Sequence, residues 1–227
     1  MNHLALQILM RRMGTYAGNL DGDFGPASRA AVINLLTSKQ PADYTVQDLE
    51  EAAANLGCEA RTLKAVIRVE SGGRGFSSEG LPVILAEPHV FSRLTQHRYD
   101  AGYPALSYPT WDRSKYPKTQ QARWDQFSRM VGLDVDAGFA AASYGLFQIL
   151  GCNYAACGFN DSFEHALAHS VDEECQLAAF QNFVRANGMV PALQKRDWAT
   201  FARKYNGPGY AANKYDQRLA AAYAAAV

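Results

Sequence analysis

Residues 63–76 read LKAVIRVESGGRGF. Leu63, Val66 and Ile67 recur at the i, i+3, i+4 spacing of a helix with one face in a core. The next position of that stripe, i+7, is Glu70, and the chain then breaks into Ser71-Gly72-Gly73. This carboxylate has two readings. Glu70 swings into solvent or pairs with Arg68 or Arg74, or it is held near an apolar surface with small residues leaving room beside it. In the second case desolvation raises its pKa, which suits a general acid working near neutral pH.

Outward from this helix the chain reads as mainly α. Thr45-x-x-Asp48 predicts a capping box for a helix with Val46, Leu49, Ala53 and Leu56 inward, stopped at Gly57. Val83 to Leu85 form a short extended segment, and Pro88 opens another helix. Helices are predicted over 119–133 and 172–187, the second introduced by Ser170-x-x-Glu173 and carrying Leu177, Phe180 and Val184 on one face. ASYGLFQILG, residues 142–151, reads as a helix-like apolar segment broken by one glycine. Trp198, Phe201, Ala202 and Tyr205 make a stripe that Gly207 stops. The alanine-rich last helix carries no evident chemistry.

Toward the N-terminus, residues 4–13 read as a short helix, 14–25 as a turn-rich connection, and Pro26 starts a second helix. A polar stretch, 37–43, is a plausible linker. The expected organisation is a small helical segment at 1–40 and a main domain at 41–227. The bland alternative makes the first 36 residues a helical extension of that domain.

Composition narrows the function classes. The 227 residues are 48% hydrophobic, enough for a substantial core, and 22 basic side chains balance 22 acidic ones. No global positive field favours nucleic acid or an anionic membrane. No apolar run approaches the ~20 residues of a spanning helix, so no stable membrane insertion is expected. The opening MNHLALQILMRRM places its basic pair after the apolar part and lacks a small-residue cleavage site, so no secretory signal is expected. Cys58, Cys152, Cys157 and Cys175 are scattered without a CxxC motif or nearby His ligands and read as ordinary thiols. Neither a metal nor another cofactor is expected.

Two further stretches suit carbohydrate, which offers hydroxyls and flat apolar ring faces. ASYGLFQILG contributes Ser143, Tyr144 and Gln148, and KYNGPGYAANKY ends a helix in a Gly-Pro-Gly turn beside aromatic residues. Glu70-Ser71-Gly72, Ser143-Tyr144-Gly145-Leu146-Phe147-Gln148-Ile149 and Tyr205-Asn206-Gly207 together resemble three ordered motifs of the lysozyme-like superfamily, shared by goose-type lysozymes and soluble lytic transglycosylases. LPVILAEPHVFSRLT, NKYDQRL and the Trp198–Gly207 string bring the resemblance closer to the N-acetylmuramidase domain of modular phage endolysins. It spans about residues 45–223 and implies an α-rich, two-lobed fold with the sugar chain between the lobes. Leu6-Gln7, the turn holding Asp21, Gly22, Phe24 and Gly25, and Ala30-Ala31-Val32 resemble a peptidoglycan-binding repeat whose usual leading helix is missing.

The resemblance implies roles. Glu70 is the catalytic glutamate, protonating the glycosidic oxygen between N-acetylmuramic acid and N-acetylglucosamine. Glu87 is the candidate second carboxylate, or else a structural acceptor for Arg93, His89 or backbone amides; Asp100 and Asp112 are weaker candidates. Ser143 could bond the substrate or the glutamate. Tyr144 could line a sugar subsite, and Gln148 could hold an N-acetyl group or brace the site; ordinary packing is the alternative for each. Tyr205 could steady the acid or the transition state, with core burial as its alternative, and Asn206 is a substrate-binding candidate. His89 is placed near the cleft. Trp111 is the tryptophan to test as a sugar platform, while Trp124 and Trp198 read as core. The implied protein is a monomeric endolysin acting on bacterial peptidoglycan, held in the host cytoplasm until a holin releases it to the wall. A lytic transglycosylase, or a non-catalytic wall-binding protein, is the alternative.

Overall fold

The computed structural model describes residues 1–226. Along the chain run helices α1 (His3–Arg12), α2 (Pro26–Leu35), α3 (Val46–Leu56) and α4 (Ala60–Glu70), strand β1 (Ile84–Ala86), and helices α5 (Pro88–Leu94), α6 (Gln120–Leu133) and α7 (Val135–Ala140). Strands β2 (Ala142–Tyr144) and β3 (Ile149–Leu150) follow, then helices α8 (Tyr154–Cys157), α9 (Ser162–His169), α10 (Glu173–Ala186), α11 (Val190–Lys195), α12 (Trp198–Asn206) and α13 (Tyr215–Ala225). The architecture is mainly α, with one small antiparallel sheet in the order β1-β2-β3.

Local chemistry sets most boundaries. The Thr45 side chain accepts from the Asp48 amide, and Asp48 accepts in return from the Thr45 amide at 2.7 Å, the predicted capping box. Gly57 closes α3 in the left-handed region at φ 66°. Two details differ from expectation. Val46, at the first position of α3, is 69% exposed, because an N1 residue precedes the turn that faces the core. The α10 start is capped by Asp172, which accepts from the Cys175 amide at 2.7 Å, and not by Ser170.

Apolar side chains collect in two cores. The first joins Ile84, Phe91, Trp124, Phe127, Phe139 and Tyr144; the second joins Leu63, Ile67, Phe147, Phe180, Phe201 and Leu219. Residues 142–151 run between them as a strand–turn–strand, not the expected helix-like segment. Ser143 pairs with Leu85 on one side and Leu150 on the other. Positive φ at Gly145 (69°) and Gln148 (48°) breaks any helix there. The physical reason is two-sided burial: Tyr144 enters the first core, while Leu146 and Phe147 enter the second. An apolar run buried on both faces has no single periodicity for a helix reading to use.

The N-terminal segment is part of the first core. Leu6, Met10, Val32 and Leu36 pack in the same cluster as Trp124 and Phe127. Thus residues 1–40, set apart in the sequence, have no core of their own.

Candidate active site

Glu70 is the last residue of α4, whose apolar stripe Leu63, Val66 and Ile67 lies in the second core. Its Oε1 is buried with no hydrogen-bond partner, while the Asn206 side chain hydrogen-bonds the carboxyl group. Burial pushes the pKa up to about 7, against the Asn206 hydrogen bond and the Arg218 charge, which both pull it down. Near neutral pH the group therefore holds a proton for much of the time, with one oxygen unengaged. Neither neighbouring arginine neutralises it by a hydrogen bond: Arg68 instead donates to the Gly72 carbonyl at 3.2 Å, closing the turn after α4.

That turn is held from behind. Glu173, 3% exposed, accepts from the Gly75 amide at 2.6 Å and the Tyr44 amide at 3.1 Å. One turn on, Gln176 accepts from the Leu146 amide at 2.7 Å and donates to the His169 carbonyl at 2.8 Å. A Cβ on Gly75 or Gly145 would come within 2.4 Å of Gln176. The glycines let the loop after Glu70 and the β2–β3 turn sit directly against α10.

Helix α13, read in the sequence as chemically silent, supplies the charged neighbour of Glu70. Arg218 donates to the Val69 carbonyl at 3.0 Å, and its guanidinium lies 4.9 Å from the Tyr215 ring centre. Tyr215 is itself perturbed upward, first by burial and then by the charges of Glu70 and, more weakly, Glu87. Its hydroxyl is thus within electrostatic reach of both carboxylates. Tyr215 and Arg218 stand at i and i+3 in YDQRL, the spacing of one helix face; that signal was available but was hidden by the surrounding alanines.

Glu87 lies between β1 and α5. Tyr116 donates to its Oε2, and His89 Nδ1 lies 3.3 Å from the same oxygen. Burial and the Glu87 charge push the Tyr116 phenol well above its ordinary value, so it remains a donor. Trp111 is 49% exposed with its ring 6.5 Å from that of Tyr116. Asp100 accepts from Ser92 and Ser107, and Asp112 caps a short turn at Ser114; both are used locally.

Several candidates are occupied internally. Tyr144 is fully buried and donates to the Phe139 carbonyl at 2.9 Å, so its ring packs the first core and does not line a sugar subsite. Ser143 donates to the Leu85 carbonyl, and lies 3.1 Å from Gln148 Oε1. Gln148 donates to the Val83 and Gly145 carbonyls, bracing the sheet. Tyr205 stacks on Phe201 and donates to the Phe147 carbonyl at 2.5 Å, which commits its proton to the backbone. Asn206, by contrast, reaches Glu70 itself.

In the N-terminal turn, Asp21 and Gly22 are tied to buried Gln7. Both amides donate to Gln7 Oε1, at 3.2 and 2.8 Å, and Asp21 accepts from Gln7 Nε2. Phe24 packs over Gly132 of α6, where a Cβ would come within 3.1 Å of its ring. Among the described residues, no group of three or more His, Cys, Asp or Glu side chains could hold a metal ion. No helix among them is long and apolar enough to cross a membrane.

The family model for N-acetylmuramidase matches residues 59–226. A crystal structure of Burkholderia AP3 phage endolysin is similar, with a TM-score of 0.71 and 32% identity over 98% of this chain and 93% of that one. No curated protein matches the chain.

Proposed function

The chain belongs to the N-acetylmuramidase family, and from that premise we propose that this peptidoglycan hydrolase cuts the β-1,4 bond between N-acetylmuramic acid and N-acetylglucosamine, with Glu70 as general acid. The observation that carries the assignment is a carboxyl group poised near pH 7 at a helix end, with one oxygen unengaged. In the proposed step Glu70 gives its proton to the glycosidic oxygen as the bond to the muramic carbon breaks. Asn206 orients the carboxyl, and Arg218 limits how far burial raises its pKa. Tyr205 and Gln148 act through the backbone they hold.

Glu87 is the proposed second carboxylate, guiding the attacking water. Its support is its place beyond β1 and its electrostatic reach to Tyr215, which Glu70 shares. One observation favours the transglycosylase alternative: the Tyr116 hydroxyl already occupies a Glu87 oxygen. The muramic acid's own hydroxyl would then replace water, with Glu70 acting as acid and base. The biological role that fits is lysis of a bacterial host by a phage endolysin, which a holin would release to the wall, the enzyme working as a monomer.

Digestion of purified peptidoglycan, with the sugar ends of the fragments read by mass spectrometry, tests the chemistry. Hydrated, reducible muramic ends are expected. Anhydro-muramic ends would replace the hydrolytic mechanism by the transglycosylase one. Undiminished cleavage by Glu70→Gln would remove Glu70 from the acid role.

A further inference from the structure

The N-terminal segment and the first core meet around a surface cavity of about 190 Å³. Phe24, Gly25 and Arg29 line it from the segment; Tyr103, Arg129 and Gly132 line it from the opposite side. Neither half makes the cavity alone. Two of the four residues that suggested wall binding, Asp21 and Gly22, are turned inward to Gln7, while the other two, Phe24 and Gly25, face this space.

Its lining is cationic and aromatic, completed by the aliphatic side chains of Leu106 and Leu133. Among the described residues Arg29 has no ion pair or hydrogen bond through its side chain. Arg129 has one acidic neighbour, Asp125, at 3.8 Å, beyond hydrogen-bonding distance. Tyr103 is 45% exposed. Two guanidiniums over one cavity present forked donors suited to a carboxylate. The volume is below the ~300–1,000 Å³ of pockets that enclose a whole small ligand, so it suits the end of an extended chain.

We propose that this composite cavity binds the acidic stem peptide of peptidoglycan, with Arg29 and Arg129 taking its carboxylates and Phe24 and Tyr103 flanking its backbone. The proposal rests on the peptidoglycan reading above and adds a second attachment point, away from Glu70, on the peptide and not on the glycan. In the polymer the backbone sugars are neutral where the muramic lactyl group is amidated, so the stem carboxylates are the matching anions. A peptide seated there would hold the enzyme on cross-linked wall while the glycan is cut elsewhere on the molecule.

The test uses the full chain carrying Glu70→Gln, so that binding is read without digestion. Its co-sedimentation with intact sacculi is measured with and without an excess of free stem peptide as competitor. Arg29→Ala/Arg129→Ala should weaken binding to intact sacculi by about tenfold or more, as expected for losing charge-assisted bonds, and an excess of free stem peptide should do the same to the parent. Arg29→Lys/Arg129→Lys, which keeps both charges, should retain more of the binding than the alanine pair. In the Glu70 background the alanine pair should cut a soluble, stem-free glycan at the parental rate. Equal binding of the alanine pair and parent overturns the site. Weakened binding by the alanine pair with no competition by free stem peptide overturns the peptide as ligand. Failure of the parent to cut the stem-free glycan would instead count against the proposed cleavage chemistry, and the sedimentation result would stand apart from it.

Discussion

At the scale of single residues, the balance around Glu70 predicts opposite effects on activity and stability. Replacing it with Gln should lower activity by about 10²–10⁴-fold, the usual contribution of a general acid. Yet the folded pKa of about 7 lies above the ordinary 4.5 of the unfolded chain. As pH rises from about 4.5 to 7 the unfolded state releases this proton more readily, so Glu70 progressively destabilises the fold. Glu70→Gln should therefore melt higher than the parent at pH 8, by about 1–3 kcal/mol in stability, and show no such gain at pH 4. Calorimetry at the two pH values checks the sign. Arg218 acts in the other direction, holding the acid's pKa down. Arg218→Met should move the alkaline limb of the kcat/KM profile upward by about one unit or less, because its charge is exposed to solvent. An unchanged limb would mean that Arg218 only fastens α13 to the Val69 carbonyl.

Among the elements, α10 decides where the catalytic loop and the sheet turn sit. Gly145 combines a φ of 69° with a neighbour, Gln176, that two buried hydrogen bonds hold in place. Gly145→Ala strains the backbone and displaces that side chain, leaving the Leu146 amide without its acceptor. A loss of about 2–4 kcal/mol is expected in denaturant unfolding, from the strain and the orphaned amide together. A second element-scale feature is the imidazole pair on α9. His165 and His169 stack with centres 4.1 Å apart, buried against Tyr144 and Phe159. Burial holds His169 down at about 4 and His165 well below its usual value. Both stay neutral in the fold while the unfolded chain takes up protons below about 6.5. Stability should consequently fall as pH drops from about 6.5 towards 4. His169→Phe should flatten part of that slope, as read by thermal melts across the range.

Over the whole molecule, the N-terminal helices are structural before they are anything else. Leu6, Met10, Val32 and Leu36 are each fully buried in the first core. Removing residues 1–40 would expose their partners on α6, and loss of four such side chains, at about 2–5 kcal/mol each, is comparable with the ~5–15 kcal/mol that holds a typical domain. The truncated chain is expected to lose cooperative unfolding and lytic activity together. A truncated protein with the parental melting temperature would show that the catalytic part folds without the segment.

What the sequence determined by itself is local. Periodicity and caps placed α3, α4, α6, α10 and α12, because each rests on neighbours within a few residues: the Thr45–Asp48 box, the Leu63–Ile67 stripe, the glycine after a last turn. The position of Glu70 on its helix was legible for the same reason. Only the tertiary structure decided what surrounds it. Arg218 and Tyr215 come from the far end of the chain and Glu173 and Gln176 from α10, so what they hold around Glu70 and its loop lies far from them in sequence. Residues 142–151 depart from a helix because their two faces enter different cores, a fact that exists only once both cores have formed. Tyr144 then became core, and Tyr205 a brace, because burying a hydroxyl requires a partner, and the carbonyls that satisfy it belong to other parts of the fold.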